Sequence, residues 1–493
     1  MKQGIAMKFK ILSGLLLLSC SSVQAAWWVE PDDLALRADI QLLSDTGVIV
    51  QPITTYPLMW AGLKQDMDKA DISQLPKNQA MAFERVMNAY QHDHQSFNSK
   101  VEIAAATDTA RFIGFGQDYR DKAETTVNAE VTKDWFSGRV SASYHYDPID
   151  GNSARLDNSF AAVMLGNWIV SAGAQQKFWG PGWDTGLIQT TNARPMPGIT
   201  LSRNNSQAFE TPWLNWAGPW TFTTSFSQME SDRYVPEAKH WGARGTLRPI
   251  SKLEVGFSWT MQWGGEGYGN SLGDWWDGLF NGGGVEGDLE NGQENMLAGY
   301  DFRWSDTAFG IPYGIYYERT HEDYHTEKHK LINASNMGGI DFVLSDINTR
   351  VFVEYADTTA SCGASDKVYN CMYEHGFYKD GYRYYGKSLG STYDNDSRTL
   401  VIGGITQLGG GQNITNKLRW LKLNIDGSDV ASPGGNPVSP GEYEQMYQFD
   451  TSYHRPFYQG TLKLGGTLGY SQYKTTGGND WDSTVYAGWE RSF

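Results

Sequence analysis

The chain of 493 residues is short of charge, of cysteine and of long apolar runs. Charged residues are 19% of it, below the usual quarter. Outside Ile11–Leu18 nothing approaches the ~20 consecutive apolar residues of a membrane-spanning helix, which excludes a helical membrane protein. Basic residues are the scarcer sign, 40 Lys+Arg against 56 Asp+Glu, and the net charge of −16 argues against nucleic acid as a partner. The three cysteines, Cys20, Cys362 and Cys371, do not combine with histidines in zinc-finger spacing. No nucleophile elbow, P-loop, dinucleotide fingerprint or His-Glu-x-x-His motif is present, so no enzyme, cofactor or metal is expected. A hydrolase built from dispersed Ser, His and Asp would leave no local signature and stays open.

Aromatics and glycine are abundant: 19 Trp, 27 Tyr, 21 Phe and 55 Gly. Such aromatic content is unlike a disordered chain. A mean hydropathy of −0.48 without apolar runs suggests β-structure with an aromatic surface. Residues 1–25 form an address: Lys2, Lys8 and Lys10, then Ile11–Leu18, then the small-x-small pattern Val23-Gln24-Ala25. The expected cut after Ala25 makes the mature chain three charges more negative. Leu17-Leu18-Ser19-Cys20 offers a lipoprotein cut instead. Cys362 and Cys371 share one stretch, and in an oxidising compartment their default is a local disulfide.

Residues 26–100 read as a helical bundle on the periplasmic side. Pro31-Asp32-Asp33 is a helix start, Leu36, Ile40 and Leu43 follow at helical spacing, and Gly47 stops the run. Further helices are expected at 58–67 and after Pro76, with Phe83, Val86, Met87 and Tyr90 on one face. From 101 to 493 the period becomes two. Leu253, Val255, Phe257, Trp259, Met261 and Trp263 alternate with polar or small residues, as a membrane β-strand requires. Eighteen such segments can be placed, from 107–116 through 206–216 to 483–493. Short turns alternate with long loops at 178–205, 264–295, 357–397 and 426–442. The fold class expected is therefore an all-β membrane protein, a closed antiparallel barrel of about eighteen strands with long extracellular loops. It would lie in the outer membrane of a Gram-negative bacterium, against outer-membrane lipid and as a monomer.

Chemistry is expected in the long loops. Trp179, Trp183, Asp184 and Arg194 offer flat rings beside charges, a combination suited to sugars; an interfacial girdle or tight Gly-Pro turn is the alternative. Trp275, Trp276 and Asp277 stand in an acidic loop as a second candidate platform, or as rings folded in to close the pore. His375, Lys379, Asp380 and Tyr382 form the third group, in the loop of the cysteine pair, with Arg383 nearby. His321, His325 and His329 would share a face only on a helix, and a solvated charged loop is the alternative.

Phe178-Trp179-Gly180-Pro181-Gly182-Trp183, Arg194-Pro195-Met196 and Trp216-Ala217-Gly218-Pro219-Trp220 resemble the Wzi family of capsule-assembly outer-membrane proteins. So do Met261-Gln262-Trp263-Gly264-Gly265, Trp276-Asp277-Gly278-Leu279, Tyr378-Lys379-Asp380-Gly381-Tyr382, Leu43–Ile49 and Tyr56-Pro57-Leu58. The resemblance runs over nearly the whole mature chain. It implies an eighteen-stranded barrel plugged by the helical bundle. It also implies a non-enzymatic lectin that holds capsular polysaccharide on the cell surface; contact with the polysaccharide export machinery is left open by the sequence. The cysteine pair departs from the family pattern. A channel for sugars or oligosaccharides is the competing reading.

Overall fold

A computed structural model describes residues 26–282, 294–325, 330–360, 369–428 and 436–493. The expected signal peptide, Cys362, His329 and the loop acids Glu286, Asp288 and Glu290 lie outside them. Helix α1 (Leu34–Asp45) starts on Asp33, whose side chain accepts from the Leu36 amide at 2.9 Å. Helix α2 (Trp60–Met67) and helix α3 (Lys77–Asp93, after Pro76) follow. All but Leu36 of α1 is buried, so this helix has no solvent face. The Leu36 end of the expected stripe is the least enclosed part.

The period-two segments close into an antiparallel barrel. Its strands are β1 (Phe97–Ala106), β2 (Ala123–Thr132), β3 (Phe136–Tyr146), β4 (Ala154–Arg155 and Phe160–Leu165, one interrupted stave), β5 (Trp168–Ala174) and β6 (Pro197–Arg203). Next are β7 (Trp220–Gln228), β8 (Lys239–Ile250), β9 (Leu253–Trp263), β10 (Asn295–Ala308), β11 (Ile311–His325) and β12 (Lys330–Leu344). The last six are β13 (Thr349–Asp357), β14 (Arg398–Gly409), β15 (Gln412–Leu423), β16 (Glu444–Phe457), β17 (Gly460–Tyr473) and β18 (Asn479–Ser492). β18 pairs with β1, Trp489 opposite Ile103, so no edge is left open.

Two strands lie elsewhere than expected. Residues 107–116 are not the first strand: they turn inward after β1 and bury Ala110, Ile113 and Phe115. The small residues Ala104–Ala106 end β1 with too weak an alternation to separate it from the helices. Residues 206–216 are not a strand either. They form an irregular connection ending in a short 3₁₀ turn at Asn215–Ala217, and β6 takes the place between β5 and β7. No helix among the described residues is long and apolar enough to cross a membrane; the strands do so. Their outer face carries Val127, Val140, Tyr144, Phe257, Ile402, Leu418, Leu468 and Val485, all exposed.

The inner face is charged, and α1 supplies its partners. Asp45, at the end of α1, accepts from Arg303 at 3.0 Å, from Arg350 at 2.9 Å and from Ser305 at 2.8 Å. The same two arginines share Asp341 on β12. Glu254 on β9 accepts from the Ile53 and Thr54 amides, and Arg244 on β8 joins Asp301 to Thr54 and Thr55. Arg248 donates to the Ser44 hydroxyl and to the Ile49 and Gln51 carbonyls. Around these pairs one apolar core joins Ile40, Leu43 and Leu63 of the helices to Tyr316, Phe352, Val401 and Ile405 of the wall. Helix α1 therefore fills the lumen at the end of the short turns, with α2 and α3 packed beside it.

Breaking a buried pair by removing one partner leaves an uncompensated charge and costs about 3–5 kcal/mol. Asp45→Ala should accordingly lower the denaturation midpoint of the detergent-solubilised protein; an unchanged midpoint would show that the plug is held without the Asp45 ion pairs.

Candidate functional site

The long connection between β5 and β6, residues 175–196, folds down into the lumen and meets the helical plug. Phe178–Trp179 pairs antiparallel with Thr55–Tyr56. A Cβ on Gly182 would stand 2.0 Å from the Thr185 carbonyl oxygen, so only glycine fits that turn. Glu354 on β13 accepts the amides of Trp183, Asp184 and Thr185 at 2.6, 3.2 and 2.9 Å, and Glu318 on β11 accepts that of Leu187 at 2.9 Å. The Trp183 indole donates to Asp341 at 3.0 Å, tying this loop to the acid that also serves Arg303 and Arg350. Asp184 meets Lys417 at 2.9 Å and Arg419 at 3.0 Å and accepts from the Tyr393 hydroxyl. Burial alone would raise its carboxyl; Arg419 and Lys417 hold it below its ordinary value instead. Trp179, Trp183 and Asp184, expected to face sugar, are 1%, 0% and 1% exposed. They join plug to wall, and the expectation is corrected: no external glycan reaches them.

Residues 369–397 of the long loop between β13 and β14 close over this segment. Cys371 is disulfide-bonded, and Cys362 lies outside the described residues. Tyr373 donates to the Leu187 carbonyl at 2.6 Å and Tyr382 to that of Ile188 at 3.0 Å. Tyr382 is wholly buried, so it too is a lid contact rather than a sugar contact. His375 accepts amides from Phe377 and Tyr378, and burial pushes its imidazole down to about 4, which keeps it neutral near pH 7. Lys379 is exposed, its ammonium 4.2 Å from the Tyr234 ring centre, while Asp380 accepts the Tyr234 amide at 2.7 Å. These two clamp the lid to the β7–β8 loop.

Trp275, Trp276 and Asp277 belong to helix α4 (Leu272–Asp277), which Ser271 and Asp274 cap reciprocally. On β8, His240 and Arg244 point inward, so Trp241 and Ala243 point outward. Trp275 packs on Trp241 at 5.6 Å and on Phe226 at 5.2 Å, both outward residues. Helix α4 therefore lies against the outer wall and neither closes the pore nor faces the lumen. Trp276 is 54% exposed and touches Phe280, and its ring is turned 64° from that of Trp275, so the two form no common platform. His321 and His325 fall in strand β11, not on a helix, and His329 lies outside the described residues.

Arg194 alone of the first group reaches open space. It pairs with Asp150 and Asp157 at 2.8 Å and stacks on Tyr385 at 4.7 Å. It stands between two pockets. The first, a shallow depression, is lined by Arg120, Asp121, Asp150, Arg155, Tyr384, Tyr385 and Lys387. The second is lined by Gln175, Gln176, Lys177, Gln189 and Thr190. Arg120, Arg155 and Lys387 were invisible as a group in the sequence, because the start of β4 and two separate connections bring them together and none forms a motif. Beside the first pocket Asp121, Glu124 and His145 approach one another closely enough to suggest a metal site. Arg155 sits 3.0 Å from Asp121 and 3.4 Å from His145. The guanidinium takes the place a cation would need, so the cluster is an ion-pair network.

Asp184→Asn should free the folded-in loop by removing the negative charge shared by Lys417 and Arg419. Limited proteolysis is then expected to cut within 175–196 while heat-modifiable gel migration persists; resistance equal to wild type would show that the loop is held without the Asp184 ion pairs.

A family model described as capsule assembly protein Wzi matches residues 92–481. Among solved structures, the fold is similar to Escherichia coli Wzi, described as an outer-membrane protein involved in group 1 capsule assembly and a carbohydrate-binding β-barrel. The TM-score is 0.79 and the identity 26%, over 95% of this chain and 99% of that one. An uncharacterized 55.8 kDa protein from the cps region of Klebsiella pneumoniae is 32% identical over 313 residues, 62% of this chain. That match spans 61% of the relative's own length. With the family model covering well over half of its residues, the chain belongs to the Wzi family of capsule-assembly proteins.

Proposed function

We propose that this protein is an outer-membrane lectin that binds capsular polysaccharide at the loop end of its barrel and so attaches the capsule to the cell surface, without catalysis. The observation that carries the reading is the filled lumen. Helix α1, with α2 and α3 packed beside it, occupies one end, residues 175–196 descend from the other, and Phe178–Trp179 joins them in one ladder. A sugar channel would need that column cleared, together with the ion pairs at Asp45 and Asp184. Polar recognition groups remain at the loop end, around Arg194 and the two pockets beside it. The carbohydrate binding described for Escherichia coli Wzi supports the same reading. In this orientation the short turns and α1–α3 face the periplasm, where α3 is the helix available to an export machinery; the barrel acts as a monomer in outer-membrane lipid.

Deletion of the gene should shift polysaccharide from the cell-bound to the shed fraction, measured as uronic acid or total sugar in pellet and medium. Unchanged bound capsule would overturn the lectin reading. In planar bilayers the purified protein should give no steady conductance; a large steady one would favour the channel instead.

A further inference from the structure

The first pocket holds more positive charge than its own carboxylates engage. Arg155 pairs with Asp121 and Asp150, and Arg194 with Asp150 and Asp157. Arg120 and Lys387 have no such partner. The Arg120 guanidinium donates to the Thr191 and Asn192 carbonyls at 3.1 and 2.8 Å, and the Lys387 ammonium to the Arg111 carbonyl at 2.9 Å. Among the described residues neither makes an ion pair. A largely buried cation satisfied only by neutral carbonyls is costly, and an anion entering the pocket would relieve that cost. The surrounding chain is acidic, so this local excess runs against the general field.

Local structure builds the excess in. Lys387 lies on a two-residue hairpin in which Arg383–Tyr384 pairs with Lys387–Ser388. Tyr385 and Gly386 at its tip have φ of 48° and 72°, the left-handed pair that such a tight turn demands. Arg383 anchors the hairpin through Asp394 and Glu374. Its rings, Tyr384 and Tyr385, line the same pocket as the cations. Beyond Arg194 the second pocket offers amides and Lys177, and no carboxylate lines it.

We propose that the pocket formed by Arg120, Arg155, Arg194 and Lys387 takes the carboxylate of an acidic sugar residue, while the amide-lined pocket across Arg194 takes the hydroxyls of its neutral neighbour. The assignment rests on the lectin reading above and names the class of glycan that reading would hold. The planar guanidinium of Arg120 and the ammonium of Lys387 match a carboxylate in charge and in donor geometry. The two tyrosines supply apolar ring surface for the sugar's C–H face. Burial, then Arg120 and Arg111, push Lys387 down to about 8, with Asp394 and Asp121 opposing. The ammonium is thus charged at pH 7 and loses its proton as the pH rises through that value. A bound carboxylate favours the charged form, so affinity for the acid should fall between pH 7 and pH 9.

The test uses full-length protein in detergent and polysaccharide shed by the deletion strain, intact or with its carboxyl groups reduced to alcohols. Wild type is expected to bind the intact form about tenfold or more tightly than the reduced form. Lys387→Met and Arg120→Gln should each remove most of that preference, with unchanged heat-modifiable migration as the check on folding. Inorganic phosphate should compete poorly. Equal affinity for the two forms, a shed polysaccharide without acid residues, or displacement by millimolar phosphate would each overturn the carboxylate assignment and leave the lectin reading standing. Binding of neither form would overturn both.

Discussion

A barrel of eighteen staves encloses more space than its own side chains can fill, and this one lines that space with ions. Arg244, Arg303, Arg350, Lys417 and Arg419 line the lumen with Glu254, Asp301, Glu318, Asp341 and Glu354, all but Lys417 and Arg419 less than 5% exposed. Charges so enclosed must be paired or hydrogen-bonded. Some pair across the wall, but the set is completed by groups that belong to no strand. Asp45 comes from α1, Asp184 and four backbone amides come from the folded-in loop, and the Ile53 and Thr54 amides come from the stretch between α1 and α2. The rest of the architecture follows from that completion. The plug cannot leave, and the loop cannot rise, without stranding ions.

The same constraint divides the aromatic residues into three populations. Rings such as Trp183, Phe178 and Phe115 pack round the Arg37 guanidinium inside, with centroid distances of 4.6, 5.0 and 4.6 Å. Others, such as Trp241 and Trp275, cover the outer wall. Tyr384 and Tyr385 stand at the loop end beside unpaired cations. Ring chemistry is similar in all three; the neighbours decide the role. A closed interior and a recognition surface at one mouth then belong to one design, since sealing the lumen leaves the loops as the place where an external glycan can be read.

Strand period, strand number and the three N-terminal helices were legible in the sequence, because alternation and helical spacing are local. The first strand was not. Val101, Ile103 and Ala105 alternate, but the small residues beside them carry little signal, and the helix before them ran on in the pattern. The site was legible only in part. Phe178–Asp184 drew notice for its rings and charge, yet those are the features a buried strut needs as well, and burial cannot be read from a motif. Asp184 answers Lys417 and Arg419, more than 230 residues away in sequence. Arg120, Arg155 and Lys387 went unseen for the converse reason: each is ordinary alone, and only strand closure makes them neighbours.

Where the polysaccharide touches the protein is the central question, and hydrogen–deuterium exchange with and without bound glycan addresses it directly. Protection confined to the loop-end peptides around Arg120, Arg194 and Tyr384–Lys387, with α1–α3 unchanged, is the result this account predicts. Protection spreading through α1 and the lumen-facing 178–188 segment would mean that the glycan enters the barrel, and would contradict it.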